Sequence, residues 1–392
     1  MIKKLKNSFK DMDKTLLMVS LLLFVFGLLN IVNASSKAVV VRYNTSLYGY
    51  FYKQALFLII GFILTLIIIT VPTKKYHAYG AFCYIGITVA LIYLSLYGTV
   101  QKGSYNWINF GIFSFQPSEF SKPIMIVCVS LLFEKFLSKL RNKKINHYDF
   151  IGIILFVGCL FPIIVFLQKD LGTTIILFLI FVVLFMSSPI LRIDKLRTVV
   201  LGIILIIIAC IIVISKNGSI LTKTQLSRFD FFDPCSDYEA GGYQICNGFI
   251  AINDGGLLGV GIGKSKQISY IPESHTDSVF AIIAEEYGFL VSSVIFICYI
   301  IILYRILKIS ANANTVRGRY ISLGVAVYIF LHVLVNLGGL FGVMPLTGVP
   351  LPFLSYGGSF TIALICAITT FSYEYNIMII NSIVIFFFHN FI

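Results

Sequence analysis

Residues 150–167 read FIGIILFVGCLFPIIVFL, and after Gln168, Lys169, Asp170 and Leu171 the run GTTIILFLIFVVLFMSSP fills 172–189. Neither run carries a charge, and each approaches the ~20 residues that one helix needs to cross ~30 Å of hydrocarbon. Strands of a membrane barrel would appear as ~10-residue segments of alternating polarity; these runs are continuous. Lipid offers no hydrogen-bond partner to the backbone, so each run must satisfy its own N–H and C=O groups as a helix. The stretch predicts two antiparallel transmembrane helices joined by a tight outer turn.

The rest of the chain repeats the pattern. Apolar residues are 58% and charged residues 12% of 392, with a mean hydropathy of +0.94, against roughly 25% charged residues in soluble chains. Spans are expected near 15–34, 53–72, 78–98, 119–136, 150–167, 172–189, 198–215, 278–304, 320–340 and 356–373, cut where Pro72, Lys74, Lys75, Pro189 and Arg192 interrupt the apolar runs. The expected fold is all-α, a polytopic membrane protein of about ten transmembrane helices. A basic N-terminus, 1–14, precedes a single domain, 15–373, with outer loops 99–118 and 216–277, and an apolar tail, 374–392, follows.

Basic residues set the orientation. Most of the Lys and Arg, among them Lys3, Lys4, Lys74, Lys75, Lys139, Arg141, Arg192, Arg305 and Arg319, fall in short loops at one set of helix ends. Those ends are expected in the cytoplasm, with both termini inside. The formal charge of +13 follows from this asymmetry; nucleic-acid binding, the rival explanation, needs the cations gathered in one domain. The first apolar run exceeds the 7–15 residues of a signal peptide and reads as a retained helix. Of eight cysteines, only Cys235 and Cys246 lie in an outer loop, where a disulfide and two free thiols are both open readings. No Cys/His cluster has zinc spacing; no cofactor is evident, and a divalent cation stays open.

Polar residues gather at the outward ends. Glycines at 255, 256, 259, 261 and 263 predict turns or close backbone approach; a phosphate cradle is the alternative, without a strand to precede it. The loop ends Pro272-Glu273-Ser274-His275-Thr276-Asp277, directly before span eight. Asp277 reads as a helix cap worth ~1 kcal/mol, or as a general base at the level of lipid head groups. On a straight helix Glu285 and Glu286 would lie ~12 Å further in. At membrane depth a charge costs at least ~2.5 kcal/mol, so they read as a buried network or a proton relay. Gln116-Pro117-Ser118-Glu119 opens span four, where Glu119 and Lys122 pair at i,i+3 or Lys122 faces an anionic ligand. Asn336, Pro345, Thr347, Pro350, Pro352 and Ser355-Tyr356-Gly357-Gly358-Ser359 forbid a straight helix between spans nine and ten. Such backbone must line protein or a wet cavity.

In order along residues 15–373, these clusters resemble the SEDS family (shape, elongation, division and sporulation). The motifs are Gly103-Ser104 with Trp107-Ile108, Phe115-Gln116-Pro117-Ser118-Glu119-Phe120 with Lys122, Gln168 with Asp170-Leu171-Gly172-Thr173, Tyr243-Gln244, Gly255-Gly256, Pro272 to Asp277, Glu285-Glu286, and Pro345 to Ser359. The resemblance implies a peptidoglycan glycosyltransferase that polymerises lipid II at the outer face of the cytoplasmic membrane. It would act beside a class B penicillin-binding protein, among divisome or elongasome membrane proteins. It carries catalysis to Asp277 and substrate contacts to Trp107, Glu119, Lys122, Gln168, Asp170, His275, Thr276, Ser355 and Tyr356. Glu285, Glu286 and Asn336 are expected in a structural or proton network. Two positions depart from the pattern: Asn106 stands where the family usually has Arg, and Lys169 where it usually has Pro. Lys122, Lys169, Arg228, Lys264 and Lys266 are the candidate cations for a leaving pyrophosphate. The rival readings are a lipid II flippase, whose site is expected near midplane with internal repeats, and a non-catalytic scaffold.

Overall fold

The computed structural model describes residues 13–37, 48–72, 75–98, 104–111, 114–141, 147–217, 234–236 and 242–370. Lys102, Gly103, Arg228, the rest of 218–233 and the tail 374–392 lie outside the described residues. The helices are α1 Lys14–Lys37, α2 Gly49–Thr70, α3 Tyr76–Tyr97, α4 Pro117–Arg141, α5 His147–Leu167, α6 Leu171–Ser187, α7 Arg192–Asn217, α8 Tyr243–Gly255, α9 Val279–Ala311, α10 Val316–Leu340 and α11 Gly358–Thr370. All but the short α8 match the ten expected spans. Six are long and apolar enough to cross a bilayer by length and composition alone, and α6 and α11 are shorter apolar helices. Helix continues past several apolar runs into charged residues, as in α4 and α7, because long basic side chains reach the interface while their backbone stays helical. A two-residue hairpin, β1 Ile108–Asn109 with β2 Ser114–Phe115, pairs Ile108 with Phe115 in the first outer loop. It is too short to have shown as alternation.

Helix α10 is the most enclosed of the long spans and packs on α4, α6 and α9, with α1 against α9, α3 and α5 against α4, and α6 against α5. In lipid the association rests on packing and on hydrogen bonds between helices. Gln54 Nε2 donates to Thr361 Oγ1 at 2.8 Å, and the hydroxyls of Thr65 and Thr369 share a bond of 2.8 Å, pinning α2 to α11. At the basic end, Lys195 Nζ donates to the carbonyls of Met186 and Ser188 at 2.6 Å each, capping the C-terminus of α6.

Two contacts fix a vertical scale. Asp13, just before α1, pairs with Arg305 of α9, and Asn33 of α1 reaches Glu286 of α9 at 3.5 Å. Twenty helical residues separate Asp13 from Asn33, about 30 Å, or one hydrocarbon thickness. Glu286 therefore lies at the outer boundary, not at membrane depth. The expectation of a straight span eight is overturned at Gly288, whose φ of 72° breaks α9. Phe289–Ala311 alone is about 34 Å long, enough to cross, and the half-helix Val279–Tyr287 is a separate outer piece.

Candidate functional site

The outer half-helix of α9 is held by its own acids. Glu285 accepts from Ser265 Oγ at 2.5 Å and from the Lys266 amide at 2.7 Å; Glu286 accepts from the Gly263 amide at 2.9 Å. The amides of Val260 and Gly261 donate to the carbonyls of Glu285 and Glu286. The glycine-rich loop thus folds as turns whose amides are spent on α9, and the phosphate-cradle reading falls. Of the two readings for Glu285 and Glu286, this geometry is that of the network. Gly259 permits the contact: a Cβ there would sit 2.2 Å from the Glu286 carbonyl oxygen.

Asp277 stands at the mouth of this half-helix. It is not the cap, since Ser278 holds the N-cap position. Its Oδ1 accepts from Thr276 Oγ1 at 3.2 Å and from Gln244 Nε2, of α8, at 3.5 Å; Gln244 also donates to Ser278 Oγ at 2.7 Å. The backbone carbonyl of Asp277 accepts from Asn336 Nδ2 at 2.7 Å, and the same amide donates to the Val349 carbonyl at 2.8 Å. This draws the 345–350 segment over the carboxylate. Gly348, exposed and at φ 73°, faces it: a Cβ there would lie 3.6 Å from Asp277 Oδ2, with no other described atom within 4 Å. Gly348 is therefore the point at which the 345–350 segment approaches the carboxylate. Cys235 and Cys246 form a disulfide, Cα–Cα 5.1 Å, that clamps the 234–236 turn to α8 two residues from Gln244.

The neighbouring motifs converge on the same segment. Tyr356 donates its amide to the His275 carbonyl at 2.9 Å, and the rings of Tyr50 and His275 lie 4.6 Å apart, those of Tyr50 and Tyr356 4.8 Å. Burial, and secondarily the Tyr50 phenol, pushes the Tyr356 hydroxyl up to about 12, so it remains a neutral phenol. Thr276 and Tyr356 are half-buried and His275 is buried. Ser355 is buried instead of facing a ligand: its hydroxyl donates to the Thr276 carbonyl and accepts from the Leu351 amide. It is a strut under the site, a correction to its expected substrate contact.

The first outer loop packs on the α5–α6 turn. Asp170 caps α6 by accepting from the Thr173 amide at 3.1 Å, and its Oδ2 accepts from Asn106 Nδ2 at 2.7 Å and Gln116 Nε2 at 3.5 Å. Asn106 therefore engages Asp170 directly. Asp170 is thus an anchor for the first outer loop. Gln168 is 0% exposed and donates to the Leu91 carbonyl at 2.8 Å, so it too is structural. Lys169 is exposed, has φ 64°, and holds its ammonium 5.5 Å from the centre of the Tyr105 ring. Trp107 is half-buried beside the hairpin. Gly172 abuts Thr347, a Cβ at Gly172 reaching within 3.0 Å of its side chain, so this cluster and Asp277 share the 345–350 segment.

Lys122 and Glu119 need the largest correction. Lys122 is 1% exposed, and its ammonium meets both Glu119 oxygens at 2.8 Å and His332 Nε2 at 3.1 Å. Its three hydrogens are used inside the bundle, and none faces a ligand. His332 was missed in the sequence, though an ionisable residue within an apolar span is itself a pointer. Gln244 and Gly348 stood within quoted motifs without a role. Among the described residues no group of three His, Cys, Asp or Glu side chains is placed to hold a metal ion.

Comparison with known proteins identifies the family and the fold. The model of the cell cycle protein family of FtsW, RodA and SpoVE matches residues 13–373. FtsW of Bacillus subtilis, described as a probable peptidoglycan glycosyltransferase, is 31% identical over 375 residues, covering 92% of this chain and 90% of that one. MrdB of Escherichia coli, described as a peptidoglycan glycosyltransferase, is 31% identical over 365 residues, covering 92% and 93%. Among solved structures, a chain from a peptidoglycan synthase complex that coordinates polymerization and crosslinking superposes with a TM-score of 0.73 at 19% identity, covering 94% and 98%. The Thermus thermophilus rod shape determining protein RodA gives 0.66 at 20% identity, covering 94% and 97%.

Proposed function

The chain belongs to the SEDS family, that of FtsW, RodA and SpoVE, and is a multi-pass membrane peptidoglycan glycosyltransferase; from that premise we propose that Asp277 is its general base. The substrate in this reading is lipid II. A sugar hydroxyl attacks the anomeric carbon of the pyrophosphate-linked donor, the new glycosidic bond forms with inversion, and the bond to pyrophosphate breaks. Asp277 takes the hydroxyl proton as the bond forms, an effect of ~10²–10⁴-fold. The observation that carries the reading is the placement of its Oδ2 toward the exposed Gly348, while Thr276 and Gln244 orient the other oxygen.

The leaving pyrophosphate needs cations or oriented donors. With Lys122 enclosed, and Lys264 and Lys266 at the far end of the half-helix from Asp277, the exposed Lys169 takes that role in this proposal, and a divalent cation remains an additional source of positive charge. Trp107, His275, Thr276 and Tyr356 are the substrate contacts in this reading. Both termini face the cytoplasm, in keeping with the basic residues at that end, and a class B penicillin-binding protein is the proposed partner that cross-links the glycan strand. The test is lipid II polymerisation by purified full-length protein, alone and with that partner. Asp277→Asn should remain folded and lose glycan synthesis. Polymerisation at the wild-type rate by the folded variant overturns the assignment.

A further inference from the structure

We propose that the turn carrying Leu257, Leu258 and Ile262 is a lip seated in the acyl region of the outer leaflet, which fixes the height of Asp277 above the membrane. The three side chains are 69%, 78% and 64% exposed, an unusual density of bare apolar surface for a segment between helices. Asn253 and Asp254, on the turn before, are also exposed. Polar surface therefore gives way to apolar surface within a few residues, as it does at a membrane boundary.

The occupant is argued from continuity and charge. The carbonyls of Gly256 and Leu257 accept from the amides of Phe289 and Leu290 at 2.9 and 3.3 Å. Phe289 and Leu290 begin the membrane-crossing part of α9 and are themselves 63% and 54% exposed, so the lip extends the lipid-facing surface of the span. Its level matches the outer hydrocarbon boundary set by Asn33 and Glu286, one bilayer thickness from the Asp13–Arg305 pair. Lys264 and Lys266, both exposed in the same loop, suit the phosphates of anionic lipids just above that boundary.

The lip is rigidly joined to the catalytic half-helix. Glu285 and Glu286 bind the amides of Lys266 and Gly263, and Gly255, Gly259 and Gly288 bring the two backbones into direct contact. Asp277 lies at the other end of the same half-helix. Lipid seating of the lip therefore sets how far Asp277 stands from the head group of a lipid-linked sugar, whose reactive carbon is held at a height fixed by its own anchor.

The test uses full-length protein in nanodiscs of phosphatidylethanolamine and phosphatidylglycerol, with or without bromine on the acyl chains. Wild type contains one tryptophan, whose emission supplies the background. Leu258→Trp should add emission that acyl bromine removes and aqueous iodide leaves alone; Ile262→Trp serves if the first variant does not fold. Added emission quenched by iodide and unaffected by bromine means the lip faces water or an absent protein partner, and overturns the proposal. As a second readout, the Leu257→Ser, Leu258→Ser double variant should raise KM for long-chain lipid II more than for a short-chain, water-soluble analogue. Equal effects on both substrates would also overturn it. The proposal concerns the same site as the glycosyltransferase reading, but bromine quenching does not depend on turnover, so either can fail alone.

Discussion

Asn336 of α10 donates to the backbone carbonyl of Asp277 at 2.7 Å, holding the residue at the mouth of the outer half-helix through its main chain. The same amide grips Val349 at 2.8 Å, so one side chain sets both the carboxylate and the segment that overlies it. Removing it, in Asn336→Leu, strands two carbonyls at a cost of ~1–3 kcal/mol. If about 1.4 kcal/mol of that appears in the transition state, kcat falls ~10-fold. Steady-state polymerisation should show the fall in kcat with KM for lipid II little changed; the reverse pattern would place Asn336 against substrate.

Gly348 offers a test of access. Its φ of 73° makes any L-residue there cost ~1–2 kcal/mol, while Asn tolerates this region best. Gly348→Asn should therefore be more thermostable than Gly348→Ala, yet less active, because its larger side chain obstructs Asp277. Activity that tracks stability across the two variants would make Gly348 a matter of strain alone.

The Lys122–Glu119 pair is expected to behave as a buried ion pair. Lys122→Met leaves a buried carboxylate without its cation, a loss of ~3–5 kcal/mol, and the double change with Glu119→Leu should recover most of it. Thermal unfolding in detergent checks this. A double variant no more stable than the single one would contradict the enclosed geometry.

The Cys235–Cys246 bridge closes a short loop, for which ~2–3 kcal/mol of local stabilisation is expected. Because α8 carries Gln244, a reductant should lower polymerisation by the wild type and increase hydrogen exchange over 243–255. The Cys235→Ser, Cys246→Ser variant should be insensitive to the same treatment.

The membrane spans were legible because lipid makes one demand, an apolar helix of bilayer length, and residues such as those at 150–189 meet it openly. The Glu119–Lys122 contact was legible too, being local. What escaped depends on partners far along the chain: His332 beside Lys122, Asn33 beside Glu286 and Asn106 beside Asp170. Without those partners Lys122 reads as an available cation. Gly288 was invisible for another reason, since a glycine within an apolar run reads as a tolerated helical residue until its neighbour, Gly259, is known to need the space. The approach of Gly348 to the Asp277 carboxylate emerged only with the fold.

The left-handed backbone of Lys169 limits what can replace it. A proline ring fixes φ near about −65°, whereas Lys169 sits at +64°, so the residue common at this position in the family cannot enter the present turn. Placing proline at 169 would require the peptide planes on either side to rotate, disturbing the bond from Asn106 to Asp170. Lys169→Pro should therefore disrupt this turn, whereas a lysine put in place of a proline meets no such bar, because a φ near about −65° is open to any L-residue.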